Sequence, residues 1–98
     1  MSAYFVLNYT ITDPDGYAQY SAAALPTLAT HSAEIVVADY DSDAKEGNPG
    51  AATVVVRFES KEAALAWYES DDYQAAKALR MACTDGIGVL CNGFEMPS

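Results

Sequence analysis

The sequence predicts an α+β fold of the ferredoxin-like type, on three observations. Four short stretches rich in β-branched and aromatic residues have the length and alternation of strands. Two longer stretches open on helix-start signals and repeat apolar residues at helical spacing, and the order along the chain is β-α-β-β-α-β. That order describes a plait: a four-stranded antiparallel sheet with two helices on one face. At 98 residues the chain is expected to form one domain, 1–98, because it is too short for two independent cores.

The first strand is read from Ala3 to Thr12, AYFVLNYTIT, with Phe5, Leu7, Tyr9 and Ile11 on one face and Tyr4, Val6, Asn8 and Thr10 on the other. Both faces are apolar near the start, so something is expected to pack on each. Asp13-Pro14-Asp15 then starts a helix: Asp can cap, Pro fits the first helical position, and Asp15 complements the positive helix end. This helix runs to about His31 with Tyr17, Tyr20, Ala24, Leu28 and His31 on one stripe, and Pro26 is expected to kink or split it.

Glu34–Tyr40 reads as the second strand and Thr53–Glu59 as the third, separated by a polar, turn-rich loop. Val54, Val56 and Phe58 should lie under the helices, and Arg57, pointing the other way, implies an edge, a solvent-facing side or a salt bridge. Ser60 caps a helix that breaks at Ser70, where Ser-Asp-Asp repeats the start signal, and resumes through Tyr73 to about Cys83. Asp85-Gly86 reads as a turn and Ile87–Phe94 as the last strand.

Composition narrows the function. Hydrophobic residues make up 51% of the chain and charged ones 19%, which excludes a disordered or low-complexity protein. Five basic against fourteen acidic residues give a net charge of −9, and the basic ones are scattered, so neither nucleic acid nor an anionic membrane is an expected partner. With no basic residue ahead of the first apolar stretch and no run long enough to span a bilayer, a cytoplasmic location is expected.

Cys83 and Cys91 form neither a redox pair nor a zinc pattern and read as small buried hydrophobes. Asp39, Asp41 and Asp43 alternate like a calcium loop, but Ala44 and Gly50 stand where that loop needs Gly and Glu, so no metal is expected. Phosphate-cradling and dinucleotide-binding glycine motifs are absent, as is a nucleophile elbow, and no cofactor is called for.

The stretches AYFV (3–6), TDPDGYAQY (12–20), RFESKEAALAWYESDDYQAAKALR (57–80) and the closing IGVLCNGF resemble the bacterial domain of unknown function 1330 family over nearly the whole chain. The most specific phrase is carried by Phe58, Ser60, Glu62, Ala63, Ala64, Trp67, Tyr68, Ser70, Tyr73, Ala76, Leu79 and Arg80. The resemblance implies a dimeric α+β barrel, in a superfamily with cofactor-independent antibiotic-biosynthesis monooxygenases, muconolactone isomerases and haem-binding chlorite dismutases. It implies no particular reaction. One departure stands out: Ser32-Ala33 replaces the Gly-Gly pair that usually follows the position of His31.

The candidate site follows from residue chemistry and this resemblance. His31, the sole imidazole, is the candidate catalytic proton-transfer group, with Tyr17, Tyr20 or Asn8 to fix its tautomer; its other natural role is to meet free carbonyls at a helix end. Tyr17, Tyr20 and Trp67 are candidate walls of a substrate slot, and Asn8 or Arg80 would orient a polar substituent, Arg80 alternatively pairing with Glu62 or Glu69. The expected function is therefore a homodimer that binds a small apolar or aromatic molecule, with isomerase or monooxygenase chemistry open. The alternative is a non-catalytic dimeric binding or scaffold module whose aromatics are purely core.

Overall fold

In a computed structural model, which describes residues 1–97, the elements are β1 (Ala3–Ile11), α1 (Pro14–Thr30), β2 (Glu34–Asp39), β3 (Ala52–Phe58), α2 (Lys61–Tyr68), α3 (Asp71–Cys83) and β4 (Thr84–Asn92). The sheet is antiparallel in the order β2-β3-β1-β4, the ferredoxin-like arrangement predicted from the element order. None of the described helices is long and apolar enough to cross a membrane.

Strand alternation decides which face meets the helices. Phe5, Leu7 and Tyr9 of β1 and Val54, Val56 and Phe58 of β3 are buried beneath α1, α2 and α3, as their period of two requires. The edge strands differ: every residue of β2 is exposed, and only Thr84 and Leu90 of β4 are even half-buried. The helical layer therefore covers the two central strands and stops short of both edges.

On the opposite face the register aligns Val37, Val55, Val6 and Val89 across all four strands. A bulge at Val36 places Val37 in this row, and none of the described residues covers it; Val37 is 39% and Val89 50% exposed. One end of the face carries the Arg57 Nη1–Glu34 Oε1 ion pair at 2.7 Å, which accounts for an arginine in an apolar strand. Exposed as it is, the pair contributes roughly 0–1 kcal/mol.

The helix boundaries show which local signals held. Ser60 accepts from Ala63 N and Ser70 from Tyr73 N, while Ser70 Oγ also donates to Trp67 O, so one serine closes α2 and opens α3. Asp13 occupies the N-cap position of α1 without a side-chain cap bond, contrary to the capping expectation; α1 begins instead on Pro14.

Pro26 does not divide α1, which runs unbroken to Thr30. The proline is exposed, so the Ala22 carbonyl that loses its helical donor faces water, while Ala24, Thr27 and Leu28 hold the other side in the core. Asp85-Gly86 is not a turn: β4 starts at Thr84, directly after α3, because Thr84, Asp85 and Gly86 pair with Ile11, Thr10 and Tyr9. Cys83 is buried as expected, but Cys91 is exposed on the uncovered face.

The link from α1 to β2 keeps a left-handed residue without the glycine that usually supplies it. Ser32 has φ 54°, just past the His31 C-cap, while Ala33 N returns to Leu28 O at 3.0 Å. A side chain in this conformation costs about 1–2 kcal/mol, partly offset by the lower chain entropy of serine when unfolded. Ser32→Gly is therefore expected to raise stability by about 0.5–1 kcal/mol, read as a higher urea midpoint at unchanged slope.

Candidate functional site

Because α1 stops short of β2, a cavity of about 130 Å³ opens between them. Its walls are Tyr17, Tyr20, Ala24 and Leu28 of α1, Tyr9 and Val56 of the central strands, Ile35 and Ala38 of β2, and Trp67 behind. An engineered apolar cavity of about this volume holds a benzene ring.

Aromatic packing fixes these walls. Trp67 lies 3.9 Å from Tyr73 and 5.6 Å from Phe5, centroid to centroid, and its Nε1 donates to Thr27 Oγ1 at 2.9 Å, tying α2 to α1. Tyr17 sits between Tyr20 at 5.5 Å and Tyr40 at 5.8 Å. Besides Ser21, the side-chain hydroxyls at the cavity belong to tyrosines, and three of these form a chain: Tyr9 to Tyr17 at 2.7 Å and Tyr17 to Tyr40 at 3.3 Å. This chain leads from a residue that is 2% exposed to one that is 52% exposed.

A second pair, Tyr20 to Tyr73 at 2.9 Å, continues to Arg80, whose Nε donates to the Tyr73 hydroxyl at 3.3 Å. Burial raises the pKa of Tyr9; for Tyr17 and Tyr20 it does so together with the hydroxyl partners, carrying both far above the ordinary phenol value. These hydroxyls are neutral at physiological pH and act as hydrogen-bond donors rather than bases. Arg80 stays charged: burial acts to lower its pKa, but Tyr73, Tyr20 and Tyr68 outweigh it.

Of the residues expected to form a site, Tyr17, Tyr20 and Trp67 share the cavity. His31 does not line it; it is the C-cap residue of α1, half-buried, with its backbone N–H on Thr27 O and Leu28 O and no side-chain bond to Tyr17, Tyr20 or Asn8. Asn8 lies on the opposite face of the sheet, where its amide donates to Gly50 O and Thr53 Oγ1 and accepts from Gly50 N. Arg80 is buried in a separate slot beside β4, and among the described residues it pairs with no carboxylate, so the expected ion pair with Glu62 or Glu69 is not formed. Tyr9, Tyr40 and Ile35 join the cavity unforeseen. Tyr9 was legible only as a core residue, and Tyr40 comes into reach through the course of β2. Among the described residues no group of His, Cys, Asp and Glu could hold a metal ion.

The fold and this helix-side cavity define a ferredoxin-like α+β protein. A family model matches residues 2–94, and the chain belongs to the family described as Domain of unknown function (DUF1330). Similar structures have been solved. RPA0582 from Rhodopseudomonas palustris, a protein of unknown function, is 14% identical, with 97% of this chain and 84% of that one covered at a TM-score of 0.78. SnoaB from Streptomyces nogalater, a cofactor-independent oxygenase, is 10% identical over 97% of this chain and 95% of its own, at 0.69. A dimeric protein of unknown function and ferredoxin-like fold from Bacteroides fragilis is 9% identical over 91% and 93%, at 0.55. At these identities the likeness is one of fold. No curated protein matches the sequence.

The raised phenol pKa values have a stability consequence with a definite sign. Above the unfolded value of 10.0, the unfolded chain loses protons that Tyr9, Tyr17 and Tyr20 retain when folded, so their contribution is complete below that pH and declines above it. Each such tyrosine removes about 1.4 kcal/mol per pH unit. Urea midpoints measured from pH 8 to 11 are expected to hold level and then fall, and Tyr17→Phe is expected to lessen the slope.

Proposed function

We propose that this protein is a homodimer that binds a small planar aromatic molecule in the cavity between α1 and β2, a polar substituent of the ligand joining the tyrosine hydroxyl chain. The observation that carries this is the cavity's composition: aromatic and aliphatic walls, ring-sized, with uncharged hydroxyls as its polar groups, among them the linked Tyr9–Tyr17–Tyr40 chain. Hydroxyls held neutral in a low-dielectric wall can stabilise a phenolate or enolate oxygen on the ligand by hydrogen-bond donation. That is the service required of the protein where the ligand itself supplies the reducing electrons, as in cofactor-independent oxygenation, or passes through an enolate, as in isomerisation. The fold shared with SnoaB supports this direction. Among the described residues no carboxylate, imidazole or ammonium lines the cavity, so His31 takes no part in this reading. A proton released by the ligand would be relayed, each hydroxyl accepting one proton as it gives up its own, with exposed Tyr40 passing the last to water.

The dimer rests on the four-valine row. Strands about 4.8 Å apart with a rise of about 3.3 Å per residue give the uncovered face roughly 500–600 Å². Two copies face to face would bury roughly 1,000–1,200 Å², about the threshold for a specific interface. The Bacteroides fragilis protein of this fold is dimeric. A second reading, a dimeric scaffold without a ligand, is favoured by one observation: the cavity's hydroxyls already satisfy each other.

Two measurements test these proposals. Titration of 2-naphthol is expected to shift the backbone amide resonances of Ser21, Ala38 and Tyr40 with millimolar or tighter affinity. Tyr17→Phe should weaken binding about five- to tenfold and Ala24→Leu, which fills the slot, should abolish it. Absence of any shift would leave the scaffold reading. In light scattering the chain is expected at twice its 10.5 kDa mass, and Val6→Asp, a charge in the middle of the valine row, is expected to yield monomers.

A further inference from the structure

The uncovered inner face of β4 forms a second slot, of about 190 Å³, between that strand and α3. Its floor is backbone, because β4 presents Gly86 and Gly88 where Tyr9 and Leu7 lie opposite. A Cβ at Gly86 would collide with the Asn8 carbonyl oxygen, so that position accepts no side chain, while one at Gly88 would stand 2.7 Å from Leu7 Cδ2 and fit only if the Leu7 side chain shifted. The walls are Phe5, Leu7, Tyr68 and Met81, and a single cation, Arg80, reaches into this apolar surround.

Arg80 is 7% exposed, and its nearest polar partner is a neutral phenol. Among the described residues neither terminal nitrogen of its guanidinium has an acceptor, yet no unpartnered side-chain nitrogen is fully sealed from solvent. Those two nitrogens are thus open and unused. A buried guanidinium without a counterion is costly, and its aromatic and phenolic neighbours leave both terminal nitrogens free to take an anion in a partly desolvated setting. Its planar fork matches the two oxygens of a carboxylate.

We infer that the slot between α3 and β4 is a binding site for a small monocarboxylate with an aromatic or aliphatic body. The carboxylate takes the two terminal nitrogens of Arg80, and the body lies along Phe5, Leu7 and Tyr68 over the glycine floor. The site shares Leu7 with the tyrosine-lined cavity but is otherwise separate from it, and it stands or falls independently of the function proposed above.

Benzoate and its neutral isostere benzamide, titrated into the full chain and followed by amide shifts, test the assignment. Benzoate is expected to perturb Met81, Gly86 and Gly88 and the Arg80 Nε–H, with affinity on the order of millimolar. Benzamide and inorganic phosphate should bind at least about tenfold more weakly, one lacking the charge and the other the apolar body. Arg80→Met should abolish the benzoate response. Arg80→Lys, which keeps a charge in place without the fork, should retain the fold and weaken benzoate several-fold. The assignment is overturned if benzamide or phosphate binds as well as benzoate, if Arg80→Lys leaves the affinity unchanged, or if the shifts map to Ser21, Ala38 and Tyr40 instead.

Discussion

The constraint on which this structure depends is a mismatch of widths: a four-stranded sheet beneath a helical layer that covers only β1 and β3. Along most of their length the central strands alternate buried inward positions with half-buried or exposed outward ones because the helices sit over one face, and Trp67, anchored to Thr27, packs between α1 and the sheet. Each edge strand is left with an open inner face. The α1 side of the gap becomes the tyrosine-lined cavity and the α3 side becomes the slot beside Arg80. Both candidate sites thus arise where the core ends.

Tyrosine is the residue that makes such a boundary workable. An apolar ring can be buried against Trp67 or Tyr73 while its hydroxyl reaches a partner, and here the hydroxyls find one another: Tyr9 with Tyr17, Tyr20 with Tyr73. Polar atoms are satisfied without bringing charge into the interior, apart from Arg80. An acidic protein of net charge −9 keeps its carboxylates at the surface and a guanidinium inside without one. That inversion is the least ordinary feature of the packing.

Much of the fold was legible because its signals are local. Pro14 opens α1, Ser60 and Ser70 cap the helices they precede, and the alternation of Phe5, Leu7 and Tyr9 picks the buried face of β1. Two local signals misled for a tertiary reason. Pro26 reads as a break, but its lost bond lies on the solvent side of a helix clamped by Ala24 and Leu28; Asp85-Gly86 reads as a turn, but ladder pairing with Tyr9 and Thr10 draws it into β4. The site was less legible. His31 and Asn8 have the right chemistry for a site, yet one caps a helix and the other ties β1 to Gly50 on the far face.

The sequence by itself determined element order, the inward face of each central strand and the aromatic makeup of the core, since caps and hydrophobic period act over a few residues. Only the tertiary structure decided which hydroxyls pair, that Arg80 meets a phenol rather than a carboxylate, and where the helical layer leaves the sheet bare. Those outcomes join residues up to 53 positions apart, and nothing in the local sequence encodes how far a helix reaches across a sheet.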